Sequence, residues 1–196
     1  WIDPRAAATG ELIYALIIDL KLTPDVSCAT CLYTALAGDT GIFRFSNTTA
    51  ETLAKATQLV RWGAQPALIA QELYNNRPLD YLRLLGNVLN SINVEDDLAW
   101  ASLPYSLVQQ YSLSSGELDG FVHYLQMIQG VELAIFLLAI TPSQVKVNFR
   151  SREKINVANL AQSLGGGGHV RAAGSTIAGS LNEVIPQVIA TARELM

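Results

Sequence analysis

The spacing of apolar residues predicts that the first part of the chain is helical. From Thr9 to Leu20 apolar side chains recur every three or four positions, which is the repeat of one face of a helix. A second helix is predicted from 25 to 37, after Pro24, with Gly38 at a position where helices commonly stop. Asp39 is therefore expected in the loop that follows this helix.

The next stretch is predicted to hold a short extended piece and three further helices. Phe43 to Phe45 has an extended pattern, while Thr48 and Glu51 have the spacing of a capping box, which predicts a helix that reaches about Gly63. Two shorter helices are predicted at 66–74 and 79–90.

Around 93–97 the pattern changes from helical to mixed, and the rest of the chain is predicted to combine strands with helices. Val145, Val147 and Phe149 alternate with polar residues, which is the period of a strand with one polar face. Arg150 is therefore expected to point away from the core. The other predicted elements are a strand at 98–103, a helix from a capping box at Ser114 and Glu117 to Gly130, a buried strand at 131–140, a helix at 156–164 that the glycines 165–168 end, and a strand end with a final helix within 178–196.

The composition indicates a soluble globular protein. Half of the 196 residues are hydrophobic, yet no apolar run reaches the roughly 18 residues that a membrane-spanning helix needs. The net charge of -4 argues against a protein that coats nucleic acid through its overall charge. The stretch 146–171 differs, because five Lys or Arg residues stand there against one acid, which favours a local anion site.

The first residues contain neither an initiator Met nor the basic and apolar regions of a signal peptide. The chain is therefore expected to be a fragment of a longer protein.

Asp39 is the first candidate for chemistry. It lies in Gly38-Asp39-Thr40-Gly41, a carboxylate among small residues after a helix. Taken alone, this motif is weak evidence for chemistry and is more typical of a turn Asp at a helix end. Aspartic proteases also contain Asp-Thr-Gly, but they are all-β proteins, and the helical periodicity around Asp39 contradicts that fold.

Cys28 and Cys31 form the only pair of cysteines. A zinc site would need a second pair or a nearby His, and the sequence offers neither. The helical pattern around the pair predicts two buried structural thiols, with a redox-active pair as the alternative.

The glycines at 165–168, followed by His169, are the second candidate. Consecutive glycines leave backbone N–H groups open and let a ligand approach closely. His169, Arg150 and Arg171 would supply donors and charge for a phosphate. No Gly-Lys-Ser/Thr follows, so this is not a nucleotide-binding P-loop. A flexible glycine linker with a solvated His is the alternative.

In this combination and order, the motifs resemble the DHH phosphoesterase superfamily, in particular its short oligoribonucleases that also dephosphorylate 3′-phosphoadenosine 5′-phosphate. The resemblance extends over nearly the whole chain. It is carried by residues 2–4 and 9–11, by Gly38 to Asn47, by Phe149-Arg150-Ser151 and by Gly165 to Gly174.

This resemblance implies an α/β fold in three parts. The C-terminal part of a DHH catalytic domain is expected at 1–62, a helical linker at 63–95, and a DHH-associated α/β domain that binds substrate at 96–196. In the family, substrate binds in the cleft between the two domains.

The resemblance also implies a catalytic pair of metal ions, usually Mn²⁺. Their ligands in the family are an Asp-x-Asp motif, a further Asp, an Asp-His-His motif and the Asp of the Asp-Thr-Gly loop. Asp39 matches the last of these, and the others are expected upstream of Trp1. Asn148 stands where a Ser is expected. The implied substrate-binding residues are Arg150, Ser151, Gly166, Gly167, Gly168, His169 and Arg171.

The expected function is hydrolysis of short RNA oligonucleotides or dinucleotides and of 3′-phosphoadenosine 5′-phosphate, in the cytoplasm and without a membrane partner. This chain alone is expected to be inactive, and the sequence leaves a homodimer open. One alternative is a non-catalytic nucleotide- or RNA-binding module. Another is a different DHH hydrolase, such as a dinucleotide phosphodiesterase, a polyphosphatase or a RecJ-like exonuclease.

Overall fold

A computed structural model describes residues 1–111 and 113–196. It divides into two compact units, Trp1–Arg77 and Pro78–Met196. The division falls inside the stretch 63–95 that the sequence predicts as a linker. In the described residues, no helix is both long and apolar enough to cross a bilayer.

The first unit is helical. A buried carboxylate, Glu11, links two of its helices: it accepts a hydrogen bond from the Thr52 hydroxyl at 2.6 Å and pairs with the Lys55 ammonium at 2.7 Å. Burial of a charge is tolerable here because the charge is paired and hydrogen-bonded. The helices are α1 (Thr9–Asp19), α2 (Val26–Asp39), α3 (Ala50–Arg61) and α4 (Pro66–Ala70), the last continued by a wider turn at Gln71–Asn75.

Three local predictions for the first unit are wrong. Gly38 does not stop the second helix, which includes Asp39 as its last residue. Phe43 is not extended, since its φ is +57°. The cap of α3 is Thr49, whose hydroxyl accepts from the backbone N–H of Thr52 at 3.1 Å, one residue later than the predicted box.

The thiols of the first unit also differ from the prediction. Cys31 is exposed and Cys28 is only half-buried against the helical core. The prediction of two buried thiols is therefore wrong for Cys31.

The second unit is an α/β structure around a six-stranded sheet in the described residues, with strand order β1-β2-β3-β4-β6-β5. The β2–β3 pair is parallel and the other pairs are antiparallel. The strands are β1 (Asn93–Glu95), β2 (Leu98–Leu103), β3 (Leu133–Thr141), β4 (Gln144–Ser151), β5 (Gly167–His169) and β6 (Ala172–Ala178).

Helices pack on both faces of this sheet, and on the second face their core is formed with β2 and β3. One face packs against α9 (Val157–Ser163) and α10 (Leu181–Glu194), with Val145, Val147 and Phe149 fully buried between them. The other face packs against α5 (Leu79–Asn90) and the helical segments before β3. These segments are α6 (Tyr105–Val108), α7 (Ser115–Leu118), a 3₁₀ turn (Asp119–Phe121) and α8 (Val122–Gln126).

The capping box predicted at Ser114 and Glu117 is present, because the Glu117 carboxylate accepts from the Ser114 backbone N–H at 2.8 Å. The helix that it opens does not run to Gly130. It is interrupted by the 3₁₀ turn at Asp119–Phe121, and that turn brings Asp119 to strand β4.

Candidate functional site

Asp39 ends α2 with its side chain exposed, and the two residues after it form a tight reversal. The buried hydroxyl of Thr40 donates to the Leu36 carbonyl at 2.6 Å and accepts from the Phe43 N–H at 3.0 Å. A side chain at Gly41 would meet the Phe45 ring at 2.4 Å. Thr40 and Gly41 are thus explained by local structure, while no hydrogen bond or ion pair within the described residues engages the exposed Asp39 carboxylate.

Asp39 and Asp3 are among the residues that line one surface cavity of about 410 Å³ in the first unit. Asp3 is already paired with Arg5 at 3.1 Å, and this contact, mainly its side-chain hydrogen bond, lowers the pKa of Asp3. Across residues 1–111 and 113–196, no three His, Cys, Asp or Glu side chains cluster as a metal site. An exposed carboxylate suits a hard cation, but these residues do not complete a two-metal centre.

The four glycines do not form the open loop that the sequence predicts. Gly165 and Gly166 donate their N–H groups back to α9, at 3.1 Å to Gln162 and 2.7 Å to Ala161. Gly167 and Gly168 begin strand β5, which forms a hairpin with β6. The sequence does not reveal this strand, because glycines carry no side-chain pattern.

Backbone conformation or steric contacts explain three of these glycines. Gly165 has a φ of +74°, which glycine adopts at no cost. A Cβ at Gly166 would lie 2.2 Å from the Gly174 carbonyl, and one at Gly168 would lie 2.5 Å from the Cα of Ala173. Gly167 is different, because its φ is not positive and nothing lies within 4 Å of the position that its Cβ would take.

The strand register brings Arg150 and His169 to the same face of the sheet. Arg150 pairs with Ala172, and Ala172 pairs with His169. Directly paired residues of antiparallel strands point to the same side. Since neighbouring strands lie about 4.8 Å apart, the Cα atoms of Arg150 and His169 are about 10 Å apart.

The next row of this face is Asn148, Gly174 and Gly167, again paired in register. Between Arg150 and His169 the floor therefore carries only a methyl group or no side chain. We call this surface the Arg150–His169 face.

Ser151 and Arg171 bind the loop that follows β4. Ser151 is buried on the opposite face, and its hydroxyl donates to the Ile155 carbonyl at 2.6 Å. Arg171 donates to the same carbonyl at 2.8 Å. Both residues hold the segment 152–155 in place. The Ser151 hydroxyl therefore lies on the other side of the sheet from the Arg150 side chain, whereas the sequence predicts that the two side chains bind substrate together.

Sequence reasoning missed the buried carboxylate of Glu132, which accepts from the backbone N–H groups of Glu153, Lys154 and Ile155 at 2.9, 2.6 and 3.1 Å. Burial opposes the charged form, but these three hydrogen bonds outweigh it and lower the pKa of Glu132. A contact across more than twenty residues leaves no local signal in the sequence.

Comparison with known protein families finds a match in the second unit. The stretch 102–196 matches the DHHA1 domain family. The Arg150–His169 face therefore lies wholly within the stretch that matches this family, whereas Asp39 lies outside it.

The chain as a whole is similar to two curated relatives named bifunctional oligoribonuclease and PAP phosphatase NrnA. The relative from Thermus thermophilus is 35% identical over 98% of this chain and 58% of its own length. The one from Bacillus subtilis is 28% identical over 90% of this chain and 57% of its own length. The chain thus spans less than two thirds of either relative, and the predicted resemblance to the DHH phosphoesterases is confirmed.

A solved structure shares the fold. It is that of an exopolyphosphatase-related protein from Bacteroides fragilis, with a TM-score of 0.91 and 29% identity over 97% of this chain and 57% of that protein. The predicted α/β fold is confirmed.

Proposed function

We propose that this chain is the substrate-binding part of a metal-dependent DHH phosphoesterase that hydrolyses short RNA oligonucleotides and 3′-phosphoadenosine 5′-phosphate. The observation that carries the proposal is the Arg150–His169 face, in which a cation and an imidazole flank a floor without large side chains. The names of the NrnA relatives favour this substrate class.

Each group of the face has a chemical role in this proposal. The planar guanidinium of Arg150 binds a terminal phosphate through two parallel hydrogen bonds. His169, which is exposed, donates to the phosphate or to the base. Gly167 and Gly174 let a sugar or base approach the backbone, because no Cβ keeps it away.

Asp39 has a separate role as one ligand of a Mn²⁺ centre, with the other ligands supplied by parts of the protein outside this chain. Two close metal ions would activate water and neutralise the phosphate. Within this chain, the task of Asp39 is to present an exposed carboxylate at the fixed end of α2. We also propose a cytoplasmic location, and a homodimer stays a prediction.

The test is isothermal titration calorimetry, in which the affinity of the chain for adenosine 5′-monophosphate is measured. Arg150→Ala and His169→Ala should each weaken binding about tenfold or more, since each removes a contact worth roughly 1.5–3 kcal/mol. Arg83→Ala is the matched control, because Arg83 is an exposed arginine of the same unit on α5. Equal affinity for all four proteins would refute a binding role for the face.

A non-catalytic nucleotide-binding module is the second candidate, because the Arg150–His169 face needs no metal ion to bind a phosphate. It predicts that the complete protein binds adenosine 5′-monophosphate but does not hydrolyse a short RNA with Mn²⁺. Hydrolysis by the complete protein would exclude it.

A further inference from the structure

Asp119 organises the polar positions of strand β4. Its carboxylate accepts from the Lys146 ammonium at 2.6 Å and from the Asn148 amide at 3.2 Å. Lys146, Asn148 and Arg150 are alternate residues of β4 and point to one side of the sheet. One acid from the 3₁₀ turn therefore engages two of the three side chains in this row.

Arg150 is the member of the row that this acid does not bind directly. In the part of the chain that the structure describes, the Arg150 guanidinium makes no salt bridge and donates to its own neighbour, the Phe149 carbonyl, at 2.9 Å. Its burial lowers the pKa of Arg150, and the charge of Asp119 opposes this effect. A partly buried cation without a bound carboxylate favours an incoming anion.

The net charge of Lys146, Arg150 and Asp119 determines how much negative charge a ligand can bring to this side of the sheet. Lys146 and Arg150 contribute two positive charges and Asp119 one negative charge, so a single cation is left uncompensated. The Lys146 and Asp119 side chains are 30% and 33% exposed, so their charges still act on a ligand at the surface. A terminal monophosphate suits one guanidinium, whereas a chain of phosphates would meet a paired lysine and the repulsion of Asp119.

We propose that Asp119 is a specificity-determining residue that makes the Arg150–His169 face select a single terminal phosphate over a chain of phosphates. This inference rests on the proposed function, because it assigns a ligand class to the same face. The residue acts through Lys146 and through its own charge, and it does not need to contact the ligand.

The experiment compares the affinities of adenosine 5′-monophosphate and inorganic tripolyphosphate for the chain. Asp119→Asn should raise the affinity for tripolyphosphate about tenfold relative to the monophosphate, because one repulsive charge is lost and Lys146 is released. Lys146→Gln should shift the ratio in the opposite direction. Asp119→Glu, which keeps the charge, should restore the wild-type ratio, and added salt should reduce every difference.

Glu194→Gln is the matched control, because it removes one negative charge from an exposed position on α10, the helix on the opposite face of the sheet. Circular dichroism of each variant shows that it is folded. If wild type binds the monophosphate and Arg150→Ala does not, but the ratio is the same in wild type, Asp119→Asn and Lys146→Gln, the role of Asp119 is refuted and the proposed function survives. If wild type binds neither ligand, both proposals fail.

Discussion

The side-chain amide of Asn47 donates to the backbone carbonyl of Asp39 at 3.1 Å and to that of Ala7 at 3.2 Å. This amide therefore links the backbone at the end of α2, which carries the candidate metal ligand, to the segment before α1. Asn47→Ala should lower the free energy of unfolding by about 1 kcal/mol, since a typical hydrogen bond contributes roughly 0.5–1.5 kcal/mol. Urea denaturation measures this value. Asn76→Ala, which removes an exposed amide bound to Glu72, is the control and should change it less.

Asp39→Asn should abolish hydrolysis in the complete protein without unfolding it. The side chain is exposed, so its replacement disturbs little packing, whereas in the proposed function it removes a metal ligand, at a cost of several kcal/mol of transition-state stabilisation. Turnover of a short RNA with Mn²⁺ should fall by about 100-fold or more. Asp19→Asn, at the end of α1, should leave it unchanged. Turnover within about twofold of wild type would remove Asp39 from the metal site.

Gly166→Ala should lower stability, whereas Gly167→Ala should lower ligand affinity. A methyl group at Gly166 would collide with the Gly174 carbonyl, so this variant should be less stable, by at least about 1–3 kcal/mol. At Gly167 the space is open, so stability should hold while affinity for adenosine 5′-monophosphate falls, because the methyl occupies the floor of the face. Thermal unfolding and calorimetry separate the two effects. Unchanged affinity of Gly167→Ala would mean that the ligand does not approach this strand.

Glu132→Gln should make stability less dependent on pH. The folded protein holds the pKa of Glu132 below its ordinary value of 4.5. Its contribution is therefore fully present above that value and is lost as the pH falls through the lowered folded pKa. At pH 7 the substitution should cost roughly 1.5–3 kcal/mol. The difference from wild type should shrink below about pH 4.5 in urea denaturation, and a constant difference from pH 7 to pH 3 would contradict this.

The sequence predicted the elements whose signal is local and periodic. Strand β2 has the predicted bounds of Leu98–Leu103, because a short run of apolar residues is buried there as a unit. The alternation in β4 is confirmed, since Val145, Val147 and Phe149 all face the core. The capping box of Ser180 and Glu183 has an equally local sequence signal, although it is not among the predicted features.

Features that depend on distant partners could not be predicted. The turn at Gly41, Ile42 and Phe43 has positive φ at all three residues. Ile and Phe rarely adopt positive φ, so residue preferences do not predict this turn. Asp119 meets Lys146 only after the chain has crossed from the 3₁₀ turn to β4. For the candidate site, the sequence named Arg150 and His169, but the strand register was needed to place them on one face.

The two outer strands of the sheet, β1 and β5, have three residues each, while β3 and β4 in the interior have nine and eight. An outer strand exposes unpaired backbone groups that can template the addition of a foreign chain, and short outer strands limit this hazard. Glycines in β5 weaken its β propensity further. The strand whose glycines leave the backbone of the Arg150–His169 face uncovered is thus also a poor seed for aggregation.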